Sequence, residues 1–338
     1  MPELYPLLLL PEFHARPWGA RDLAPIYDKR VEEVGEPIGE AWLTGDACRV
    51  ANGPLRGQTL ADLSKVFGAA LTGSASPVPD RFPLLIKFLF PREKLSVQVH
   101  PDDEGARRIG QACGKTECWY VLAAEPGAQV GLGLKPGTTK EDLRRAIAEK
   151  RAEALLNWLD VHAGEMIYVE AGTVHAIGPG SILVETQQNS DTTYRLYDYG
   201  RPRPLHVEEG LAATKEKTHA GKVRHEDGSP LLISSPCFRV ERRKLGRGDA
   251  WAPPVARGES SRGVSPQILV ALDGGARLEA SGHEPVAFSR GEAIVIPASA
   301  REFVVHPQWQ VELLAMSLPA EKTPHPDTYM EDVKAVTR

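Results

Sequence analysis

Apolar and polar residues alternate through Leu95-Ser-Val-Gln-Val-His-Pro-Asp-Asp103, which puts Ser96, Gln98 and His100 on one face of a strand and Val97 and Val99 on the other. Such a polar face either meets solvent, as on the wet side of an antiparallel sheet, or is buried around something it binds. Short apolar runs bounded by Gly, Pro or charge recur at 82–90, 118–123, 166–172, 181–187, 267–275 and 293–299. They predict the strands of an all-β sandwich or barrel. Residues 138–160 depart from this pattern, with no Gly or Pro and a possible capping box in Thr138-x-x-Glu141. Leu143, Ala146, Ile147, Ala154, Leu155 and Trp158 fall roughly on one helical face. A helical insertion is predicted over about 138–160, as a lid or a cover for a sheet edge, with an earlier short helix near Leu60–Ala70. A polar run from about Glu216 to Pro230 divides the chain into 1–220 and 221–338.

Composition narrows the function classes. A chain of 338 residues exceeds the usual single core, which implies two domains. The net charge of −5 provides no general basic surface, so no nucleic-acid partner is expected. Cys48, Cys113, Cys118 and Cys237 show no C-x-x-C spacing and read as reduced structural thiols. The first residues, MPELYPLLLLPEF, contain an early acid and prolines, lack a basic leader region and are too short to span a bilayer. The expectation is a cytoplasmic protein with no membrane partner; oligomeric state leaves no mark on the sequence.

Two segments share a skeleton. Gly164-Glu-Met-Ile-Tyr-Val-Glu170-Ala-Gly172-Thr-Val-His175 and Gly291-Glu-Ala-Ile-Val-Ile-Pro297-Ala-Ser299-Ala-Arg-Glu302 both run Gly, Glu, an apolar strand and a turn. Each ends on a polar residue eleven positions after its first Gly. The pattern resembles the second signature of a cupin barrel. The first copy has Glu170 at the proline position and keeps the histidine; the second keeps Pro297 and carries Glu302 instead. The implied fold is mainly β: two cupin-like (jelly-roll) β-barrel domains with a small helical insertion, the second barrel lacking a metal site.

In a cupin, strands remote in sequence aim side chains into one mouth. His175 would then meet Gln98 and His100, with Glu117 at the start of an apolar strand as the acid. Two imidazoles, a carboxylate and an amide oxygen suit zinc in a site with an exchangeable water. The spacing equally allows iron or manganese, and the two-His, one-carboxylate triad of an iron oxygenase is contained in the set.

LSVQVHPDD, Lys115-Thr-Glu117, AGTVHAIGPG and ETQQNSDTTYRLYDYGR resemble, in order, the characteristic blocks of type I phosphomannose isomerase. Arg16-Pro-Trp-Gly19, Gly39-Glu-Ala-Trp42 and FPLLIKFL add to the likeness. The resemblance implies interconversion of mannose 6-phosphate and fructose 6-phosphate through an enediol, with one zinc ion per chain on Gln98, His100, Glu117 and His175. It implies Arg195 as the catalytic cation. Glu185 is a candidate base or acid whose pKa a low-dielectric pocket would raise. Lys87, Ser96 and Lys115 match polar positions lining the family's pocket and are expected to contact substrate. If no bulge intervenes, the run from Leu183 would carry Glu185, Gln187 and Arg195 on one face. Two other functions fit part of the pattern: a sugar-phosphate-binding cupin without catalysis, and an iron-dependent cupin oxygenase.

Overall fold

The computed structural model describes residues 3–28, 35–74, 76, 78, 80–225, 228–252, 265–300 and 302–319. The expected mainly β architecture is present as three stacked open sheets, not as closed barrels. A five-stranded sheet runs Tyr194–Tyr197, Val97–Val99, His175–Ile177, Gln129–Leu134, Leu156–Asp160. The middle, seven-stranded sheet runs Ala220–Lys222, Met166–Val169, Glu117–Ala124, Ser181–Gln188, Leu84–Leu89, Ile38–Trp42, Glu12–Ala20. The third is built on the long antiparallel pair Gln267–Ala280 and Phe303–Ser317.

Period-2 alternation explains how these layers stack. Leu89, Trp119, Val121 and Leu183 of the middle sheet pack with Leu95, Val130, Leu132 and Ile177 of the five-stranded side. Residues between them in sequence, such as Ile86, Phe88, Tyr120 and Val184, point the other way and pack against Ile268, Val270, Val295 and Leu314 of the third sheet. The middle sheet is therefore buried on both faces, and polar groups on it need partners.

The polar run after Glu216 is the crossover, since Ala220–Lys222 pairs in the middle sheet and Leu231–Ser234 in the third. The strand Leu7–Leu9 does not stay with its sequence neighbours; it pairs antiparallel with Ala293–Ile296 in the third sheet.

The predicted helical insertion is shorter than expected. The α-helix covers Lys140–Ala148, a 3-10 turn covers Ala152–Leu155, and Leu156–Asp160 is a strand. Lys150 adopts φ 58°, which ends the helix, and the following LNWLD pairs with Gln129–Leu134. The capping box lies one residue later than predicted: Thr139 Oγ1 accepts from Asp142 N, and an Asp142 carboxylate oxygen accepts from Thr139 N, both at 3.1 Å. The helix is neither a lid nor an edge cover. Leu143 and Ile147 bury against Val97, Val99, Val174 and Ala176, the outer face of the five-stranded sheet. The early helix spans Leu60–Phe67, capped by Thr59.

Two glycines bring the first strands together. A Cβ at Gly19 would lie 2.4 Å from the Ile38 carbonyl carbon, and one at Gly39 would lie 2.5 Å from Arg16 Cβ. Side chains are excluded by this approach, which is the physical content of the RPWG and GEAW motifs. Among the described residues no helix is long and apolar enough to cross a membrane.

Leu7 is fully buried in the core shared by the middle and third sheets. Its replacement by alanine is expected to lower the unfolding free energy by ~2–5 kcal/mol, read from a denaturant titration; an unchanged midpoint would show that this strand is not docked.

Candidate metal centre

The face that opened the sequence reading is buried, not wet. Ser96 and His100 are inaccessible and Gln98 is half-buried, while Val97 and Val99 fill the core under the helices. Register does the assembling. His175 stands opposite Gln98, and Gln98 stands opposite Arg195 on its other side, so the three side chains share one face of the five-stranded sheet. Across the interlayer, Trp42, Lys87, Glu185 and Trp119 form one lateral row of the middle sheet, with Gln187 and Glu117 opposite each other in the next.

The donor atoms converge. The ligand atoms of His100, Glu117 and His175 all lie within 4.8 Å of one another. His100 Nε2 is 3.6 Å from one Glu117 oxygen and His175 Nε2 is 3.4 Å from the other. Each imidazole has its Nδ1 at 2.9 Å from a backbone carbonyl, of Thr192 and Thr173 respectively. A carbonyl only accepts, so both Nδ1 atoms donate and both Nε2 lone pairs face inward, the tautomer that a metal requires. Burial pushes both imidazole pKa values down, His175 to about 4, which keeps the rings neutral.

Glu117 is buried and its Oε1 has no hydrogen-bond partner. Burial raises its pKa, and Glu185 adds to this, against the pull of Lys115. A carboxylate oxygen without a partner in a dry site is what a bound cation would satisfy. Gln98 sits 3.2 Å from His175 Nε2 through its amide nitrogen, and Ser96 Oγ donates to its oxygen at 3.2 Å. A half-turn of that amide would present the oxygen instead. Two neutral imidazoles, one carboxylate and one amide fit a divalent ion. Lys115 stands against the same atoms, its Nζ 3.1 Å from His100 Nε2 and bonded to Glu117, so its ammonium and a cation would compete for them.

A chain of buried charges continues from this centre. Lys115 approaches Glu185 Oε1 at 3.8 Å, Lys87 approaches Glu185 Oε2 at 3.2 Å, and Lys87 lies 3.9 Å from Glu40. Burial alone would raise the Glu185 pKa, but Lys115 and Lys87 outweigh it and hold the carboxyl ionised, the reverse of the expected upward shift. Lys87 moves the other way: burial opposes its charge, and Glu185 and Glu40 restore it.

Gln98, His100, Glu117, His175, Lys87, Ser96, Lys115 and Glu185 are thus gathered in one interlayer. Arg195 joins by a different route from the one expected. The strand from Ser181 ends at Gln188, and Arg195 belongs to the opposite sheet, placed by its pairing with Gln98. Its guanidinium donates to Pro204 O at 2.9 Å, while Asp198 pairs with Arg201 and Arg203.

The sequence reading passed over Glu40 and Arg16. Glu40 takes a bidentate contact from Arg16 Nε and Nη2, each at 3.0 Å, and accepts from Trp42 Nε1 at 2.6 Å. The signal was the GEAW motif, whose Glu and Trp sit two apart on one strand face. The histidines left unassigned have local roles. His14 stacks on Trp42 at 4.2 Å, His206 accepts from Arg195 N, and His162 is exposed beside Glu165. Glu170, in the proline position, accepts from His219 N at 2.8 Å, and Gly172 N donates to His100 O at 2.9 Å. The turn before His175 is thereby tied to His100, the residue that follows the strand Val97–Val99. In the second copy Glu302 is exposed, and the equivalent turn docks on the short helix Ala69–Thr72 through Ala298 N and Ser299 N.

Known proteins resemble this chain in sequence and fold. The family model "Phosphomannose isomerase type I, catalytic domain" matches residues 7–121. The mannose-6-phosphate isomerase of Streptococcus mutans is 33% identical over 311 residues, covering 88% of this chain and 94% of that protein. Mannose-6-phosphate isomerase ManA of Bacillus subtilis is 35% identical over 316 residues, covering 88% and 95%. The crystal structure of mannose 6-phosphate isomerase from Bacillus subtilis superposes with a TM-score of 0.77 at 28% identity, covering 92% of this chain and 99% of that one.

A divalent ion at ~100 times its dissociation constant is expected to add ~2.7 kcal/mol to the native protein, and nothing comparable to His175→Ala. Thermal unfolding with and without zinc, beside elemental analysis of both proteins, checks this; equal metal content would place the ion elsewhere.

Proposed function

The chain belongs to the type I phosphomannose isomerases, and from that premise we propose that it interconverts mannose 6-phosphate and fructose 6-phosphate around one zinc ion held by Gln98, His100, Glu117 and His175. The observation that carries this reading is the pair of inward imidazole lone pairs facing an unpartnered Glu117 oxygen, flanked by buried lysines. Bound there, zinc would supply Lewis-acid stabilisation to the negative charge that gathers on the C1 and C2 oxygens of the sugar.

The isomerisation moves a proton between C1 and C2 through an enediol. Glu185, kept ionised by its two lysines, is the base that takes this proton and returns it to the neighbouring carbon. Trp119 Nε1 donates to Glu185 Oε1 at 3.2 Å and fixes its orientation. Arg195, on the same sheet face as Gln98 and His175, adds a permanent cation toward the developing enediolate. Lys87, Ser96 and Lys115 supply donors to the sugar phosphate. Burial of the whole group strengthens each of these charge interactions.

The isomerase relatives favour turnover over the binding-only cupin and the oxygenase. So does the presence of both Arg195 and Glu185 beside the metal residues. Four free cysteines accord with a cytoplasmic enzyme.

In a coupled assay, purified protein is expected to convert mannose 6-phosphate, with EDTA abolishing turnover and zinc restoring it. Arg195→Ala should lower kcat ~10²–10³-fold with metal content intact. Tight binding without turnover would favour the sensor, and full activity in metal-free protein would overturn the mechanism.

A further inference from the structure

The charge chain does not end on a residue that the proposed chemistry uses. It ends on Glu40, which is buried, and on Arg16, which is half-buried. Arg16 has five N–H groups. Nε and one Nη2 hydrogen meet the two Glu40 oxygens, and Nη1 donates to Ala15 O at 3.1 Å. This leaves one hydrogen on each of Nη1 and Nη2, which together form the end-on edge of the guanidinium. That edge is the bidentate fork that matches two phosphate oxygens.

Glu40 also sits 3.9 Å from the Lys87 ammonium and takes the indole N–H of Trp42, whose ring lies 4.9 Å from that same ammonium. One carboxylate thus orients cations from two strands. The close packing of Gly39 on Arg16 Cβ holds the arginine stem in place. Burial lowers the pKa of the Arg195 guanidinium, Arg203 adds to this, Asp198 opposes it, and Arg16 contributes least.

Resting on the isomerase reading, we propose that Glu40 is a positioning residue that holds Arg16, with Lys87 beside it, as the clamp for the phosphate of the sugar phosphate. The reacting carbons and the phosphate lie at opposite ends of the substrate, roughly 6–8 Å apart at ~1.5 Å per bond.

The test uses the zinc-loaded enzyme with Glu40→Gln, which keeps the shape and the Trp42 bond but removes the charge. KM for mannose 6-phosphate is expected to rise at least tenfold, with kcat within threefold and zinc content unchanged. Stabilisation by inorganic phosphate in a thermal shift should disappear, a readout that does not depend on turnover. Arg16→Lys keeps the charge, loses the fork and lies on a partly exposed side chain; it should raise KM in the same direction if Glu40→Gln does not fold. Glu40→Asp should recover part of the affinity. A wild-type KM and phosphate shift in Glu40→Gln, or a loss of kcat together with zinc, would overturn the proposal. Failure of the isomerase reading itself would be visible separately, as wild-type protein that is stabilised by phosphate but does not turn over.

Discussion

Charge buried between two sheets must be balanced within the sheets, and this constraint organises the site. Arg16, Glu40, Lys87, Glu185, Lys115 and Glu117 alternate in sign as they cross the interlayer. Removing any one partner would leave a neighbouring charge desolvated and uncompensated, which is far more costly than the pair is favourable. The row has three acidic and three basic side chains, with burial and Glu185 raising the pKa of Glu117 against the pull of Lys115. A divalent cation at one end and a phosphate dianion at the other would enter as a second balanced pair, each making the other's burial less costly.

The scaffold supplies this constraint through strand register rather than through loops. Neighbouring strands place Lys87 beside Glu185 and Gln98 between His175 and Arg195, so a one-residue slip would turn the whole set into the apolar layers. The apolar layers hold the register in turn. Trp119 and Leu183 pack below the site, and Phe88 and Val184 pack on the reverse of the same strands. The helix Lys140–Ala148 contributes from behind, supporting Val97 and Val99 and thereby the strand that carries Gln98.

Much of this was legible in the sequence because its periods are short. Alternation in LSVQVH separated the site face from the core face, and the repeated Gly-Glu hairpins marked two related units. Gln98 and His100 come from the first of these patterns, His175 from the second, and Glu117 from its place at the start of an apolar strand. Other features were decided by contacts that no local pattern records. The break in the insertion depends on Lys150 taking a left-handed conformation and on a partner strand for Leu156–Asp160. Arg195 changed sheets because the chain turns after Gln188. The sign of the Glu185 shift depended on two lysines, Lys87 from a neighbouring strand and Lys115 from the loop before another. Glu40 was invisible as a functional residue because its meaning lies in partners from Arg16 to Lys87.

The strand Leu7–Leu9 has a consequence for how the molecule is made. It is synthesised well before its partner Ala293–Ile296, which lies near the far end of the described strands. At ~5–20 residues per second, these apolar side chains wait roughly 15–60 s for their place in the sheet. The five-stranded and middle sheets can collapse in that interval, but Leu7–Leu9 is fastened only when Ala293–Ile296 arrives, so nascent chains stalled before Ala293 would carry an unmatched sticky edge that invites chaperone capture.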